Sequence, residues 1–178
     1  GGNFDAIVLA YYLTICSIDV TLVAQKIEIN DTMICMTKDV KTTFLGNDIP
    51  NLFLSEYSQV KSRINRKTRI HAIPVGIINT EKLIYHTCRR INIVYAKTKI
   101  EQSLTHVCVN GKKLLGENII SCEDNAESHP YVEKVLEFKT PHQIKTPLFF
   151  GFDTVNNTTY TYFPLSRHLL LVMECMHY

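Results

Sequence analysis

The segment Leu148–Cys175 reads LFFGFDTVNNTTYTYFPLSRHLLLVMEC, and its apolar runs and turn decide the fold class. Leu148–Asp153 and Thr158–Phe163 are rich in aromatic and β-branched residues and flank Asn156-Asn157, which predicts a β-hairpin. His168–Cys175 follows as a strongly apolar strand, typical of a strand that is buried on both faces. Because such a strand is too apolar for a sheet edge, it favours a homodimer in which two chains close one barrel and so remove the edges.

Working outward from this segment, residues 4–16 and 80–90 carry apolar residues at helical spacing, with Asn3 and Asn79 as N-caps. Asp48 and Pro50 indicate the start of a third helix, continued by an apolar face to Ile64. Asn110-Gly111 predicts a tight hairpin, Asn30-Asp31 a turn, and residues 123–129 a polar loop. Tyr131–Phe138 fits a helix or a strand. The remaining predicted strands are 18–29, 32–36, 69–75, 91–100, 104–109 and 112–122.

The chain has 178 residues, of which 46% are hydrophobic, enough for a single domain with its own core over residues 1–178. The longest apolar runs, Ala6–Leu13 and Leu169–Met173, fall short of the ~20 residues that span a membrane, so no membrane partner is predicted. Gly1 and Gly2 are interpreted as a cloning remnant on a fragment of a longer protein.

Six cysteines are scattered along the chain without a C-x-x-C pair, so their spacing predicts no metal site. Single cysteines on apolar segments are typical of buried thiols in a reduced compartment. The even count leaves open a secreted protein with three disulfides, which sequons at Asn30, Asn156 and Asn157 would suit.

No arrangement of residues in the sequence matches a known catalytic motif. The seven histidines form no metal-binding or hydrolytic pattern, and Ser166 has no nucleophile elbow around it. Gly76, Gly111, Gly116 and Gly151 are isolated, so none of them predicts a loop that cradles phosphate. The sequence therefore predicts a chain that is not an enzyme and needs no cofactor.

The charges are unevenly distributed. Residues 61–113 hold twelve Lys and Arg and two acids, a net charge of +10, whereas the rest holds seven and fifteen, a net charge of −8. A basic block of this kind indicates a polyanionic partner, with DNA first; a merely solvated basic face is the alternative. The predicted DNA-contacting residues are Lys61, Arg63, Arg66, Lys67, Arg69, Lys82, Arg89, Arg90, Lys97 and Lys99.

Several segments resemble the C-terminal domain of betaherpesvirus immediate-early transactivators, and the composition rich in Ile, Asn and Thr is similar to the roseolovirus branch. The likeness covers about residues 70–175. The segments that carry it are Ile73–Thr80, Tyr85–Arg90, Ser121–Asn125, Pro130–Pro141 and Ser166–Leu170.

This resemblance implies an α+β fold like that of gammaherpesvirus origin-binding nuclear antigens, a dimeric antiparallel β-barrel with peripheral helices. It implies a homodimer in the host cell nucleus that binds double-stranded DNA and basal transcription factors. The implied function is sequence-selective regulation of viral promoters, activating some and repressing its own. A viral β-rich module that binds a host protein is the alternative.

Overall fold

The computed structural model describes residues 2–29, 34–37, 49–97, 99–103, 105–122 and 131–176. In chain order its helices and strands are α1 (Phe4–Ile15), β1 (Thr21–Ala24), β2 (Ile34–Met36), β3 (Phe53–Tyr57), β4 (Val60–Ile64), β5 (Lys67–His71), β6 (Val75–Ile78), α2 (Thr80–Cys88), β7 (Asn92–Tyr95), β8 (Glu101–Gln102), β9 (His106–Val109), β10 (Lys112–Leu115), β11 (Tyr131–Glu137), β12 (Leu148–Asp153), β13 (Thr158–Pro164) and β14 (Leu169–Met176).

The chain divides into two compact units. The first lies within Gly1–Met33, Asp39–Leu52 and Ile78–Asp124. It holds both helices, the parallel pair β1–β7 and the antiparallel sheet β10-β9-β8. Both predicted N-caps are confirmed, because the Asn3 side chain accepts from Ala6 N and the Asn79 side chain accepts from Lys82 N, each at 3.1 Å.

The predicted hairpin at Asn110-Gly111 is also confirmed. Both residues have positive φ, +51° and +75°, as a tight two-residue turn between β9 and β10 requires. The Asn110 side chain ties this turn to the end of β7, since it accepts from Lys97 N at 2.7 Å and donates to Tyr95 O at 2.8 Å.

The second unit lies within Ile34–Lys38, Phe53–Ile77 and Asn125–Tyr178. It contains a mixed sheet in the order β11-β14-β13-β12-β4-β5 and the sheet β2-β6-β3. A buried cluster holds strands of both sheets together and excludes water between them. Its members are Val60, Val75, Ile77, Phe163 and Leu171.

Within this unit the hairpin β12–β13 is confirmed, and β14 lies between β13 and β11, away from either sheet edge. Leu170 and Leu171 are buried, whereas the rest of β14 is half-buried where it is described, so burial on both faces is reached only in part. Tyr131–Phe138, which fitted a helix or a strand, forms strand β11.

The predicted helix running to Ile64 is wrong. Residues 53–57 form β3 with alternating burial, and β4 turns into β5 through Asn65-Arg66, both at positive φ. β4 also pairs in parallel with β12, so hydrogen bonds to distant strands outweigh the local helical spacing. The predicted helix start at Asp48, the turn at Asn30-Asp31 and the loop over 123–129 lie outside the described residues.

The predicted dimeric antiparallel β-barrel with peripheral helices is wrong as well. In the described part of the chain the largest sheet has two ends, β11 and β5, and does not close on itself. This sheet is also not purely antiparallel, because β12 and β4 pair in parallel, as do β1 and β7 in the first unit. The interior position of β14 is explained by its neighbours in the same chain, without a second subunit.

The described residues contain no disulfide, no metal-binding cluster and no membrane-spanning helix. The cysteines Cys16, Cys88, Cys108, Cys122 and Cys175 form no disulfide within the part of the chain that the structure describes. Among these residues no cluster of three His, Cys, Asp or Glu side chains is arranged to hold a metal ion. No described helix is both long and apolar enough to cross a membrane.

Candidate functional site

The start of α1 carries the sequence Gly1-Gly2-Asn3-Phe4-Asp5-Ala6, and the next strand along the chain is the parallel strand β1. A glycine-rich turn into a helix, followed by a parallel strand, is the arrangement of dinucleotide-binding folds, whose fingerprint is G-x-G-x-x-G or G-x-G-x-x-A. This segment matches at Gly1 and Ala6, and Asn3 replaces the second glycine. Ligands of such folds bind at the helix N-terminus beside the carboxyl ends of the strands.

Gly2 occupies a position where a side chain has no space. A Cβ atom built on it would overlap the carbonyl oxygen of Lys26, and its own carbonyl accepts from Glu28 N at 3.1 Å. The residues just after β1 are therefore packed directly against the turn that starts α1. Glycine at this position is required by close backbone approach.

Small residues let α1 pack closely within its unit. Ala6 and Ala10 are 4% and 3% exposed and lie one turn apart, next to the fully buried Ile7. In the fingerprint the last small residue serves close helix packing, and Ala6 fills that role here. α2 contributes the fully buried Leu83 to the same unit.

The first turn of α1 also contains polar groups that compete with an anionic ligand. The Asn3 side-chain oxygen accepts from Ala6 N at 3.1 Å, so it uses one of the backbone N–H groups that a phosphate would otherwise contact. Asp5 adds a negative charge in the same turn, which stabilises the helix dipole and repels an anion.

The carboxyl end of β1 departs from the fingerprint. An Asp or Glu usually lies about 20 residues beyond the glycines and binds the ribose hydroxyls of the dinucleotide. Here β1 ends in the buried Ala24, whose carbonyl accepts from Ala96 N at 2.9 Å, and Gln25 and Lys26 follow. Lys26 forms an ion pair with Glu28. The turn and the helix of the fingerprint are thus present, whereas the last residue of β1 is Ala24 and not an acid.

The ten cations predicted to contact DNA are divided equally between the two units. Five belong to the β4–β5 hairpin: Lys61, Arg63, Arg66, Lys67 and Arg69. The other five belong to α2, its C-terminal end and the segment that includes and follows β7: Lys82, Arg89, Arg90, Lys97 and Lys99.

The hairpin cations do not share one face. Arg63 pairs with Thr68 and Ser62 pairs with Arg69, so alternation along the strands puts Lys61 and Arg63 on the face opposite to Lys67 and Arg69. β5 is an edge strand, and exposed cations on an edge discourage pairing with other chains.

The two arginines at the end of α2 contact tyrosines of their own unit. The guanidinium of Arg89 donates to the Tyr85 hydroxyl at 2.7 Å, and that of Arg90 lies 5.2 Å from the ring centroid of Tyr11. Both arginines are exposed. Contact of these cations with DNA stays a prediction.

No protein-family model and no curated protein matches the chain. Solved structures do share its fold. It is similar to pqsL, a probable FAD-dependent monooxygenase from Pseudomonas aeruginosa, with a TM-score of 0.66 and 13% identity over 96% of this chain and 57% of that chain.

Two further solved structures are similar to this chain at equally low sequence identity. 2-Methyl-3-hydroxypyridine-5-carboxylic acid oxygenase has a TM-score of 0.67 and 11% identity over 99% of this chain and 57% of its own. A geranylgeranyl bacteriochlorophyll reductase-like protein from Thermoplasma acidophilum has a TM-score of 0.64 and 9% identity over 97% of this chain and 54% of its own. The chain spans a little over half the length of these structures.

The chain therefore shares its fold with these two oxygenases and with the reductase-like protein. This finding contradicts the predicted likeness to gammaherpesvirus nuclear antigen domains, the predicted function as a DNA-binding transcription regulator and the prediction that the chain is not an enzyme. The resemblance to herpesvirus transactivators, the homodimer, the DNA and transcription-factor partners and the nuclear localisation stay predictions. Gly1-Gly2 was missed because it was interpreted as a cloning remnant; its position directly before a well-capped helix was the available signal.

Proposed function

We propose that this chain is the cofactor-binding part of a flavin-dependent oxidoreductase, and that the start of α1 faces the diphosphate of FAD. The observation that carries this proposal is Gly2, which admits no side chain at the N-terminus of α1, together with the parallel pair β1–β7, in a fold shared with a probable FAD-dependent monooxygenase. A bound flavin supplies hydride transfer and oxygen chemistry, and the protein supplies binding, orientation and electrostatics.

The chain's own contribution at this site is a helix N-terminus with a close backbone turn. Backbone N–H groups of the first turn of α1, together with the positive end of the helix dipole, attract a diphosphate. Gly2 keeps the turn free of a side chain, and Ala6 keeps the helix close to its neighbours. Without an acid at Ala24 the ribose hydroxyls receive no charged hydrogen bond at that position, which weakens binding.

The test is a titration of the 178-residue chain with FAD, followed by flavin fluorescence, with NADPH titrated in parallel. We expect saturable FAD binding. Gly2→Ala should abolish it, since the added Cβ overlaps the Lys26 carbonyl. Gly116→Ala is the matched control, because a Cβ there meets no atom closer than 3.5 Å and the residue lies in the same unit.

Thermal unfolding of all three proteins checks that binding differences do not arise from loss of the fold. A chain that is folded but shows no saturable FAD binding contradicts the proposal. Saturation by NADPH alone would assign the turn to another dinucleotide. Equal binding by Gly2→Ala and Gly116→Ala would remove the turn at Gly2 from the site.

A further inference from the structure

A cleft in the second unit lies between the loop that follows β11 and the turn that joins β13 to β14. Its volume of about 550 Å³ falls in the range of small-molecule sites. The cleft contains none of the residues at the start of α1 discussed above. The residues that matter for its chemistry are Pro141, His142, Ile144, Lys145, Pro164 and Arg167.

The ionisable side chains that line the cleft belong to His142, Lys145 and Arg167, and none of them is acidic. Neither Lys145 nor Arg167 forms an ion pair with another residue in the described part of the chain. Two cations that line one concave surface, with no acid in its lining, attract an anion. Arginine in particular presents a planar fork that matches a carboxylate with two parallel hydrogen bonds.

Backbone hydrogen bonds hold the two walls of the cleft together. His142 N donates to Arg167 O at 2.9 Å, and Phe138 N donates to His168 O at 2.8 Å. The His168 ring returns a hydrogen bond from Nδ1 to Phe138 O at 2.9 Å. The loop that carries Lys145 is thus fixed to the turn that carries Arg167, so the cations are attached to a preformed frame.

The remaining lining of the cleft combines the uncharged polar residues Gln143 and Ser166 with three apolar residues. Pro141, Ile144 and Pro164 supply rigid or branched apolar surfaces. The His142 ring packs edge-on against Phe138, with 5.3 Å between ring centroids, which fixes its orientation. Apolar surfaces beside a small number of polar and charged groups are typical of sites for small organic molecules.

We propose that this cleft binds a small organic carboxylate with an apolar body, whose carboxylate contacts Arg167 and Lys145. The site goes beyond the proposed cofactor role and does not depend on it, because it is built from the second unit alone.

The test uses benzoate as the probe, titrated into the 178-residue chain by isothermal calorimetry, with benzamide as the uncharged analogue and inorganic phosphate as a competitor. We expect saturable binding of benzoate and no detectable binding of benzamide. Arg167→Gln should weaken benzoate about tenfold, the change expected from losing a charge-assisted hydrogen bond. Lys134→Gln, an exposed cation on β11 outside the cleft, is the matched control and should bind as the original chain does.

Lys145→Gln is the second variant and keeps the test decisive if Arg167→Gln does not fold. Absence of saturable benzoate binding, or equal binding of benzoate and benzamide, would overturn the assignment. Equal affinity for phosphate and benzoate would reduce the cleft to a general anion site and refute the organic carboxylate. FAD titration of Arg167→Gln separates the two proposals, since cofactor binding should be unchanged in this variant.

Discussion

Asn3 has two roles that a pair of substitutions can separate. Its side chain caps α1 by accepting from Ala6 N at 3.1 Å, and it occupies the place of the fingerprint's second glycine. Replacing an N-cap Asn by Ala costs about 1 kcal/mol of stability, whereas replacing it by Gly costs a few tenths. The free energy of unfolding should therefore fall by about 1 kcal/mol in Asn3→Ala and hardly change in Asn3→Gly.

The same substitutions have a different effect on FAD. Both release the N–H of Ala6, but Asn3→Gly also removes the Cβ atom from the turn and lets a diphosphate approach the backbone. One additional net hydrogen bond is worth about 1 kcal/mol, or roughly a fivefold gain in affinity. We expect Asn3→Gly to bind FAD about fivefold more tightly than the original chain, with Asn3→Ala between the two.

Urea unfolding followed by circular dichroism measures the first effect, and flavin fluorescence titration measures the second. If Asn3→Ala unfolds at the same urea concentration as the original chain, the cap contributes nothing. If Asn3→Gly binds FAD no more tightly, the Asn3 side chain does not compete with the diphosphate, and the reasoning about this turn fails. Measured together, the two curves distinguish a damaged helix from an opened site.

Three further predictions concern stability, each measured by urea unfolding at 25 °C. Gly76→Ala should lose about 1–3 kcal/mol, because the new Cβ would lie 2.5 Å from the Phe53 ring and the core resists overpacking; an unchanged midpoint would show that the ring moves freely. Leu83→Ala should lose about 2–5 kcal/mol, since this fully buried side chain leaves a cavity under α2, and a loss below that range would mean that the site collapses around it. The backbone N–H of Val155 donates to the Asp153 carboxylate at 2.9 Å and holds the pKa of that carboxyl below its ordinary 3.8. The contribution of this hydrogen bond to stability is therefore present above pH 3.8 and is lost as the pH falls through the lowered pKa. Asp153→Asn should reduce this loss of stability at acid pH, and identical pH profiles of the two proteins would contradict the assignment.

Local signals in the sequence predicted the elements that depend on local interactions. Helix caps at Asn3 and Asn79 and the turn at Asn110-Gly111 act within a few residues, so their chemistry is visible without the fold. The hairpin β12–β13 belongs to the same class. The caps, the turn and the hairpin were all predicted correctly from these local interactions.

Pairing between distant strands was not predicted, because the sequence of one strand does not determine which other strand it pairs with. β1 and β7 align Thr21 with Asn92, and β12 and β4 align Leu148 with Lys61. The segment that includes β3 and β4 has apolar residues that fit a helix as well as a strand, and long-range hydrogen bonds decide between the two. The closed-barrel prediction failed for the same reason, since closure depends on which strands meet.

The basic block illustrates how a charge pattern along the chain differs from a charged surface. Residues 61–113 carry a net charge of +10, but the fold assigns Lys61–Arg69 to one unit and Lys82–Lys99 to the other. Within the hairpin, strand alternation then directs the cations to opposite faces. A run of cations in sequence therefore supports a polyanion site only when the topology brings their side chains onto one surface.

The proposed cofactor site could not be predicted from the sequence for a complementary reason. Two glycines at the start of a sequence carry little information alone, and an Asn at the fingerprint's second glycine and an Ala at its acidic position remove the residues that would have marked the motif. What remains is structural: a turn in which Gly2 admits no side chain, a helix whose small residues allow close packing, and a parallel strand after it. Backbone geometry binds a diphosphate through N–H groups that every residue except proline possesses, so such a site survives the loss of its characteristic side chains. For this reason the titration with FAD, and its sensitivity to Gly2→Ala, tests the backbone itself.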